Sequence, residues 1–249
     1  MLCAVEPVEI PAPRGKSGGL LELGYHDLHF GVSTLDTYRD TLERVVRVIR
    51  SRTWDKIVIP VGSDTFHNDN FRATTAKGTP IEGMDWPSAY TDATTFHSTI
   101  IEAALAHSKE VHLVYIRSNH DESMSWLFCH VLDAKYPRLV CDLEIVERKV
   151  VSWEGVCIGL THGGKSKACD LDRLFRAEFP AFNAAEVKEI HTGHEHHEES
   201  QDRYGVLVRK APSGNVTDSW HQGRGFVGAV KRFLIYRYSP GWLEGMDYV

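Results

Sequence analysis

The stretch KIVIPVGSD, residues 56–64, takes a β-branched apolar run directly into a glycine and two polar residues. Valine and isoleucine favour extended backbone, and a continuous apolar run of this length is typical of a buried strand. The preceding segment, 35–50, spaces its apolar residues along one face of a helix. Still earlier, residues 20–27 have the pattern of another strand, LLELGYHD. The domain is therefore predicted to begin with a strand, a helix and a strand.

The alternation of apolar runs and amphipathic segments continues and predicts an α/β domain with helices covering sheets. Further helices are expected near 91–108, 123–135 and 170–177, and further strands at 111–117, 143–151, 155–161, 190–194, 205–210 and 226–238. The polar, threonine-rich stretch 64–86 is too long for a simple connection and is expected to be a substrate-side loop. Residues 1–19, rich in proline and glycine, are predicted to be a loosely ordered leader before a single domain, 20–249.

Composition excludes several classes of protein. The 249 residues carry a net charge of -6, which gives no overall attraction to nucleic acid or to an anionic membrane. The five cysteines never occur in a C-x-x-C spacing, which disfavours a disulfide framework and a cysteine zinc site. No signal peptide and no apolar run of about 18 residues is recognisable, so we expect a cytoplasmic protein, in the host cytoplasm if it is viral. Fourteen histidines are many for this length and require a chemical reason.

Potential metal ligands follow the predicted strands at the points where the strands end. The five clusters are Asp27-Leu28-His29, Gly62-Ser63-Asp64, Asn119-His120-Asp121, His162-Gly163 and Gly193-His194-Glu195-His196. In α/β sheets ligands bind at the loops beyond the strand ends, because buried strands fix positions while loops supply polar groups. We therefore expect the clusters to converge on one site. Other histidines, such as His26, His97 and His191, are expected at the surface or in local hydrogen bonds.

The residue types in these clusters suit divalent metal ions. Carboxylate and amide oxygens combined with imidazole nitrogens are ligands for manganese, iron or zinc. A dinuclear site needs one carboxylate that bridges ions about 3.5 to 4 Å apart, and Asp64 is the candidate. The pairs Asp27-x-His29 and His194-x-His196 are expected in extended segments, where alternate side chains face the same way. We expect two divalent ions, with manganese first and iron, zinc, magnesium or nickel as alternatives.

Taken in order, the five clusters resemble the motif set of the calcineurin-like metallophosphoesterase superfamily, over residues 23–197. The resemblance implies an α/β fold, a four-layer sandwich of two mixed β-sheets flanked by α-helices, with the ligands on loops at one end. The runs Asp27-Leu28-His29-Phe30-Gly31 and Asp64-Thr65-Phe66-His67 are similar to the DNA-repair-nuclease branch of the superfamily and to phosphoesterases of bacteriophage genomes.

The resemblance also implies a role for each motif residue. The implied metal ligands are Asp27, His29 and His196 for one ion and Asn119, His162 and His194 for the other, with Asp64 shared. His120 would stay free of metal and act as a general acid or as a transition-state donor, oriented by Asp121. His67 and Asn119 are expected to contact the phosphate of the substrate.

Two residues depart from the family pattern. Ser63 stands between Gly62 and Asp64, where the family usually has glycine directly before the bridging aspartate, and Ser118 replaces the glycine that normally precedes Asn-His.

The arginine that phosphoprotein phosphatases carry after the bridging aspartate is absent, which disfavours a protein phosphatase. The chain is also too short for the DNA-capping domain and coiled-coil segments of the repair nucleases, so small phosphodiesters remain candidate substrates.

The leading prediction is hydrolysis of a phosphodiester in nucleic acid or a nucleotide by a metal-activated hydroxide. One alternative is a phosphomonoesterase acting on nucleotides or small metabolites. Another is a non-catalytic binding module on the same fold, although the seven filled ligand positions argue against it. The expected partner is the phosphodiester itself, in DNA, RNA or a nucleotide, with no membrane, and the sequence leaves the oligomeric state open.

Overall fold

The computed structural model describes residues 5–216 and 230–249, which form two β-sheets between layers of helices. The first sheet is built from β1 (Leu20–Gly24), β2 (Trp54–Gly62), β3 (Ser108–Ile116), β4 (Leu139–Asp142), β10 (Leu234–Ser239) and β11 (Trp242–Tyr248). Its order is β11-β10-β1-β2-β3-β4. Strands β1 to β4 are parallel, whereas β10 and β11 pair antiparallel, so the sheet is mixed.

The second sheet is also mixed. It is built from β5 (Lys149–Trp153), β6 (Val156–Leu160), β7 (Val187–Thr192), β8 (Glu199–Asp202) and β9 (Leu207–Lys210). Its order is β5-β6-β7-β9-β8. The three central strands, β6, β7 and β9, are parallel, and the edge strands β5 and β8 are antiparallel to their neighbours.

Helices cover the outer face of each sheet. The first sheet carries α1 (Arg39–Ile49), α2 (Trp86–His107) and α3 (Glu122–Lys135), and the second carries α4 (Leu171–Glu178) and α5 (Pro180–Ala184). The alternation of side chains along β2 sets up two of the layers, because Ile57 and Ile59 pack with the helices whereas Val58 packs between the sheets. The predicted four-layer α/β sandwich of two mixed sheets is therefore confirmed.

The outer helix layer lies very close to the second sheet at Gly159 in β6. A Cβ built at this glycine would lie 2.5 Å from the ring of Phe175 in α4. The neighbouring Ile158 and Leu160 face the first sheet instead. The missing side chain thus lets an aromatic ring pack directly on the strand backbone, which brings α4 onto the sheet.

The predicted elements differ from the structure mainly at its edges. Segment 143–148 is not a strand, and Ile145 and Val146 in it are exposed. β4 lies before that segment, and β8, β11 and α5 were not predicted. Of the strand expected at 226–238, residues 226–229 lie outside the described part and β10 begins only at Leu234. The four-residue edge strands β4 and β8 carry little periodicity, which explains why they were missed.

Residues 5–19 form no helix or strand, but they contact the body of the domain. The amide of Val8 donates to the carbonyl of Lys135 at 2.8 Å, and the Arg138 guanidinium donates to the carbonyl of Ile10 at 2.7 Å. The division into a leader and a single domain stays a prediction. Of the helices described, none combines the length and the apolar character needed to cross a membrane.

Candidate metal centre

The parallel strands of the two sheets end on the same side of the sandwich, and the loops after them meet there. The carboxylate of Asp64, after β2, lies 3.2 Å from the imidazole of His162, after β6 (Oδ2 to Nε2). Similarly, the carboxylate of Asp27, after β1, lies 3.6 Å from the imidazole of His196, after β7 (Oδ1 to Nε2). The site therefore joins the first sheet to the second, and neither sheet could form it alone.

All seven predicted metal ligands lie in this site, in two groups. The ligand atoms of Asp27, His29 and His196 lie within 4.8 Å of one another, and so do those of Asp64, His162 and His194. Asn119 joins the second group, with its Oδ1 2.6 Å from His162 Nε2. Asp64 Oδ2 also lies 3.9 Å from His29 Nε2 in the first group. Asp64 thus reaches both groups, as a bridging carboxylate must.

The donor set fits divalent cations. The carboxylates of Asp27 and Asp64 are almost completely buried, with exposures of 0% and 1%. A buried carboxylate is costly unless a cation or hydrogen bonds compensate its charge. His29 Nε2 is buried without a hydrogen-bond partner among the described residues, although it faces Asp64. An imidazole nitrogen left in this way beside a carboxylate is suited to bind a metal ion.

The electrostatics of the second group point the same way. Burial raises the pKa of the Asp64 carboxyl, but the imidazoles of His162 and His120 outweigh burial and hold this pKa well below its usual range. Burial lowers the pKa of His162, but the Asp64 carboxylate reverses the effect and raises the pKa to about 9. Without a metal ion, His162 is therefore protonated at neutral pH, and a divalent ion must displace the proton on Nε2.

The backbone of the ligand loops is left-handed, which corrects the expectation of extended segments. Positive φ angles occur at Asp27 (56°), His29 (48°), His194 (73°) and His196 (55°). A left-handed residue turns the chain sharply, so both side chains of each pair reach the site from a tight loop rather than from a strand. Aspartate and histidine adopt this region more readily than most residues. The pairs were thus predicted to share a site for the wrong geometric reason.

Backbone hydrogen bonds hold the loops after β1 and β2 together. The amide of Asp27 donates to the carbonyl of Ser63 at 2.8 Å, and the amide of His29 donates to the carbonyl of Asp64 at 2.9 Å. Gly62, with φ at 93°, allows the close approach to β3, since a Cβ there would lie 2.2 Å from the carbonyl oxygen of Ile116. These contacts place the first group against Asp64.

A glycine brings the loop after β7 against Asp27. A Cβ at Gly193 would lie 2.5 Å from Asp27 Oδ2, so no other residue fits there without moving the carboxylate. The amide of His194 donates to both oxygens of Asp27, at 3.1 and 2.8 Å. This glycine therefore lets the backbone of one ligand loop orient the carboxylate of another.

His120 lies beside the two groups, but its partner differs from the predicted one. Its amide donates to Asp64 Oδ1 at 2.9 Å, and its Nδ1 lies 2.8 Å from the carbonyl oxygen of His67. Because a carbonyl only accepts, Nδ1 carries the proton and Nε2 is the other nitrogen available for chemistry. The carbonyl of His67 therefore orients the His120 imidazole, where Asp121 was expected to do so.

Asp121 supports the backbone of the site instead. Its carboxylate accepts hydrogen bonds from the amide of Phe66 at 2.7 Å and from the hydroxyl of Ser118 at 2.5 Å. Burial, followed by the negative charge of Asp64, raises its pKa to about 7. Ser118, which departs from the family pattern, thus helps Asp121 to hold the loop that follows Asp64.

The loop expected on the substrate side lies next to Asn119 and His120. The amide of Ala76 donates to the carbonyl of Asn119 at 3.0 Å. Asp69 accepts hydrogen bonds from the amides of Ser123 and Met124, in the first turn of α3. On the same loop, His67 Nδ1 lies 3.4 Å from His29 Nδ1. The side chains of His67 and His120, with His29, thus form a histidine group at the edge of the site.

Some residues of the site were not predicted. Ser213 donates to the carbonyl of Asp27 at 2.8 Å, and Asn215 Nδ2 lies 3.5 Å from His196 Nδ1. No sequence signal marked them, because small polar residues occur in most loops. His26 is completely buried and lies 2.9 Å from the hydroxyl of Ser63 (Nδ1 to Oγ), so its local hydrogen bond belongs to the site.

Comparisons with known proteins give no match to a family model and none to a curated protein. Among solved structures, the chain is similar to an archaeal phosphodiesterase (9% identity, TM-score 0.46, 93% of this chain and 98% of that one). It is similar to a predicted phosphoesterase from Streptococcus pneumoniae (10%, 0.43, 95% and 91%). It is also similar to wild-type Vps29 from Entamoeba histolytica complexed with zinc (16%, 0.40, 93% and 98%).

These identities and TM-scores are low, so the function has to be inferred from the residues of the site itself. The resemblance to the calcineurin-like metallophosphoesterases is carried by the motif residues and by the two-sheet fold.

Proposed function

We propose that this chain is a metal-dependent phosphoesterase that hydrolyses a phosphodiester in nucleic acid or in a nucleotide. The observation that carries the proposal is the position of Asp64, whose buried carboxylate lies 3.2 Å from His162 in one ligand group and 3.9 Å from His29 in the other. A carboxylate placed between two such groups is what a pair of ions acting on one phosphate requires.

In this proposal each ligand group holds one divalent ion. Asp27, His29 and His196 would bind the first ion, Asn119, His162 and His194 would bind the second, and Asp64 would bind both. When bound, such a pair polarises the phosphate and lowers the pKa of a water molecule toward about 7, which supplies the nucleophile at neutral pH. Manganese is the first choice for this mixture of oxygen and imidazole ligands, with zinc, iron, magnesium and nickel as alternatives.

The remaining polar groups act on the phosphate directly. The carbonyl of His67 accepts a hydrogen bond from Nδ1 of His120. Nε2, on the opposite side of the ring, is therefore left beside the ligands. From there it can donate to a phosphate oxygen or to the leaving group when the imidazole carries a second proton, on Nε2, as a general acid does. The side chains of His67 and Asn119 would contact the same phosphate, His67 from the histidine group and Asn119 through its amide NH₂.

Catalysis is favoured over a purely binding role by the groups that lie beyond the ligands. A binding module needs no imidazole held by a carbonyl next to the ligand groups, yet the backbone amide of His120 is fixed to Asp64 and its ring is fixed to His67. Such preorganised donors are what lower the free energy of a phosphoryl-transfer transition state.

The experiment measures metal content and manganese-dependent hydrolysis of bis-p-nitrophenyl phosphate and p-nitrophenyl phosphate. Asp64→Ala should lose both metal and activity. His120→Ala should keep the metal and lose about 100- to 10,000-fold in turnover. The matched control is His130→Ala, which removes an exposed histidine in α3 and should behave as wild type. Activity confined to the monoester would change the substrate to a phosphomonoester, and a wild-type protein that binds no divalent ion would overturn the proposal.

A further inference from the structure

Three buried residues form a hydrogen-bonded chain that leads away from the metal ligands. Nδ1 of His162 lies 2.9 Å from the hydroxyl of Ser63, and the same hydroxyl lies 2.9 Å from Nδ1 of His26. His26, Ser63 and His162 are 0%, 1% and 2% exposed. These hydrogen bonds therefore connect the second ligand group to the interior of the protein, and the three side chains that form them have almost no contact with solvent.

The other nitrogen of His162 fixes the direction of these hydrogen bonds. Nε2 of His162 faces Asn119 Oδ1 at 2.6 Å and Asp64 Oδ2 at 3.2 Å, so Nε2 is the nitrogen available to an ion bound there. An imidazole that binds metal through Nε2 carries its proton on Nδ1. Among the described residues, Ser63 Oγ is the acceptor within hydrogen-bond distance of that proton, since Asp27 Oδ1 lies 4.0 Å from Nδ1. Because the hydroxyl has a single proton, this proton is then directed to Nδ1 of His26, which must accept.

The backbone supports a specific purpose for the serine. Ser63 has a φ of 49°, in the left-handed region where glycine is more stable than serine. Its side chain thus occupies a position where glycine would relieve strain. Strained conformations of this kind persist where the side chain contributes to a function.

His26 gives an independent reason. Its Nε2 is buried and has no hydrogen-bond partner among the described residues. A buried histidine with one nitrogen unpaired is unfavourable in an ordinary protein core, and such groups in a native protein need an explanation. Among the described residues, the hydrogen bond of its Nδ1 to Ser63 is the polar contact that holds His26 in place.

We propose that Ser63 and His26 are positioning residues, which fix the tautomer and the ring orientation of His162 so that Nε2 is presented to the ion shared with Asp64. This inference rests on the metal site of the proposed function. It assigns a role to Ser63, one of the two residues at which the sequence departs from the resembled family, and to a histidine outside the ligand motifs.

The test measures the affinity of both sites for Mn²⁺ by calorimetry, in the full chain with Ser63→Gly and Ser63→Ala. In each variant the affinity for one of the two Mn²⁺ ions should fall by about 10- to 100-fold, as is usual when a group that orients a ligand is lost. Both variants lose the hydroxyl but only Ser63→Gly relieves the positive φ, so Ser63→Gly should unfold at a higher urea concentration than Ser63→Ala. The matched control is Ser108→Ala, which removes a buried serine hydroxyl at the opposite end of β3 and should leave both affinities unchanged.

A second readout follows the proton itself. In the protein loaded with diamagnetic Zn²⁺, ring ¹⁵N spectra should show His162 with its proton on Nδ1 and His26 with its proton on Nε2. In Ser63→Gly, the His162 ring signals should shift and the Nδ1 proton should exchange faster with solvent.

Wild-type affinities for both ions and an unchanged His162 signature in Ser63→Gly would overturn the positioning role. Metal uptake without hydrolysis would overturn only the phosphoesterase proposal, and no metal uptake by wild type would overturn both.

Discussion

The carboxylate of Asp64 accepts a hydrogen bond from the backbone amide of His120 at 2.9 Å, while its second oxygen faces the imidazole of His162. The residue proposed to bridge the ions therefore also fixes the backbone that carries the proposed phosphate donor. Metal binding and the placement of the His120 donor are therefore linked through one side chain. A substitution of Asp64 that keeps the shape of the side chain but removes its charge tests the contribution of the charge alone.

Asp64→Asn should lower the pKa of His162 from about 9, because burial lowers this pKa and the Asp64 carboxylate is what raises it. A ¹H–¹⁵N NMR titration of the metal-free protein measures the change. His191 is an internal control, because its pKa, also about 9, is raised against burial by Glu22 and Glu189 and should not move. An unchanged pKa at His162 would mean that Asp64 does not set the charge of the second ligand group.

Two glycines next to the site should respond differently to alanine. Gly193→Ala places a Cβ 2.5 Å from Asp27 Oδ2, so the carboxylate has to move and Mn²⁺ affinity should fall by about 10-fold or more. In Gly164→Ala the nearest atoms, on His162 and His194, are 3.5 Å away, which is ordinary contact. Calorimetry should therefore find near wild-type affinity in Gly164→Ala. Equal losses in both would show that the loops tolerate no added methyl group at all.

The loop after Asp64 should depend on its contact with α3. Asp69 accepts from the amides of Ser123 and Met124 at 2.6 and 3.2 Å, as a helix-capping group does. Asp69→Ala should lower the free energy of unfolding by about 1 kcal/mol, measured in urea. Asp69→Asn keeps an oxygen acceptor and should recover most of that loss. If the asparagine variant is as unstable as the alanine variant, the negative charge rather than the hydrogen bonds stabilises the helix end.

A buried histidine between the sheets, His191, should make the free energy of unfolding depend on pH. His191 lies 2.7 Å from Glu22 and 3.0 Å from Glu189, and these carboxylates outweigh burial and raise its pKa to about 9. A pKa raised above the unfolded value of about 6.5 stabilises the fold below pH 6.5, and this contribution is lost as pH rises through 9. The difference in unfolding free energy between wild type and His191→Gln should therefore fall by about 3 kcal/mol from pH 6 to 9.5. A constant difference would contradict a charged His191.

The strands that carry the ligands could be predicted because their signals are local. β2 and β3 are long β-branched runs, and each ends within three residues of a ligand. The same cannot be said of the groups that orient those ligands. The contact of Asp121 with Phe66 and that of His120 with the His67 carbonyl join segments more than 50 residues apart. Residue types at these positions do not specify which partner is in reach.

Backbone conformation was the other feature that the sequence did not reveal. Asp27-x-His29 has the spacing of a strand, yet both residues are left-handed. The spacing of two polar residues is compatible with either geometry, and only the packing of the loop after β2 against them decides. Edge strands such as β8 were missed for a related reason, since a sequence such as ESQD has no apolar alternation.

The pairing of the two ligand loops has a consequence for how such a site can change. Asp27 and His29 are held by hydrogen bonds between main-chain atoms. The pairing of the two loops therefore does not depend on which side chains occupy those positions. Their left-handed φ angles nevertheless restrict the choice to residues that tolerate this conformation, chiefly glycine, asparagine, aspartate and histidine. Three of these four are also ligands for divalent ions. A descendant of this chain could therefore exchange an imidazole for a carboxylate, and with it one metal for another, without rebuilding a loop.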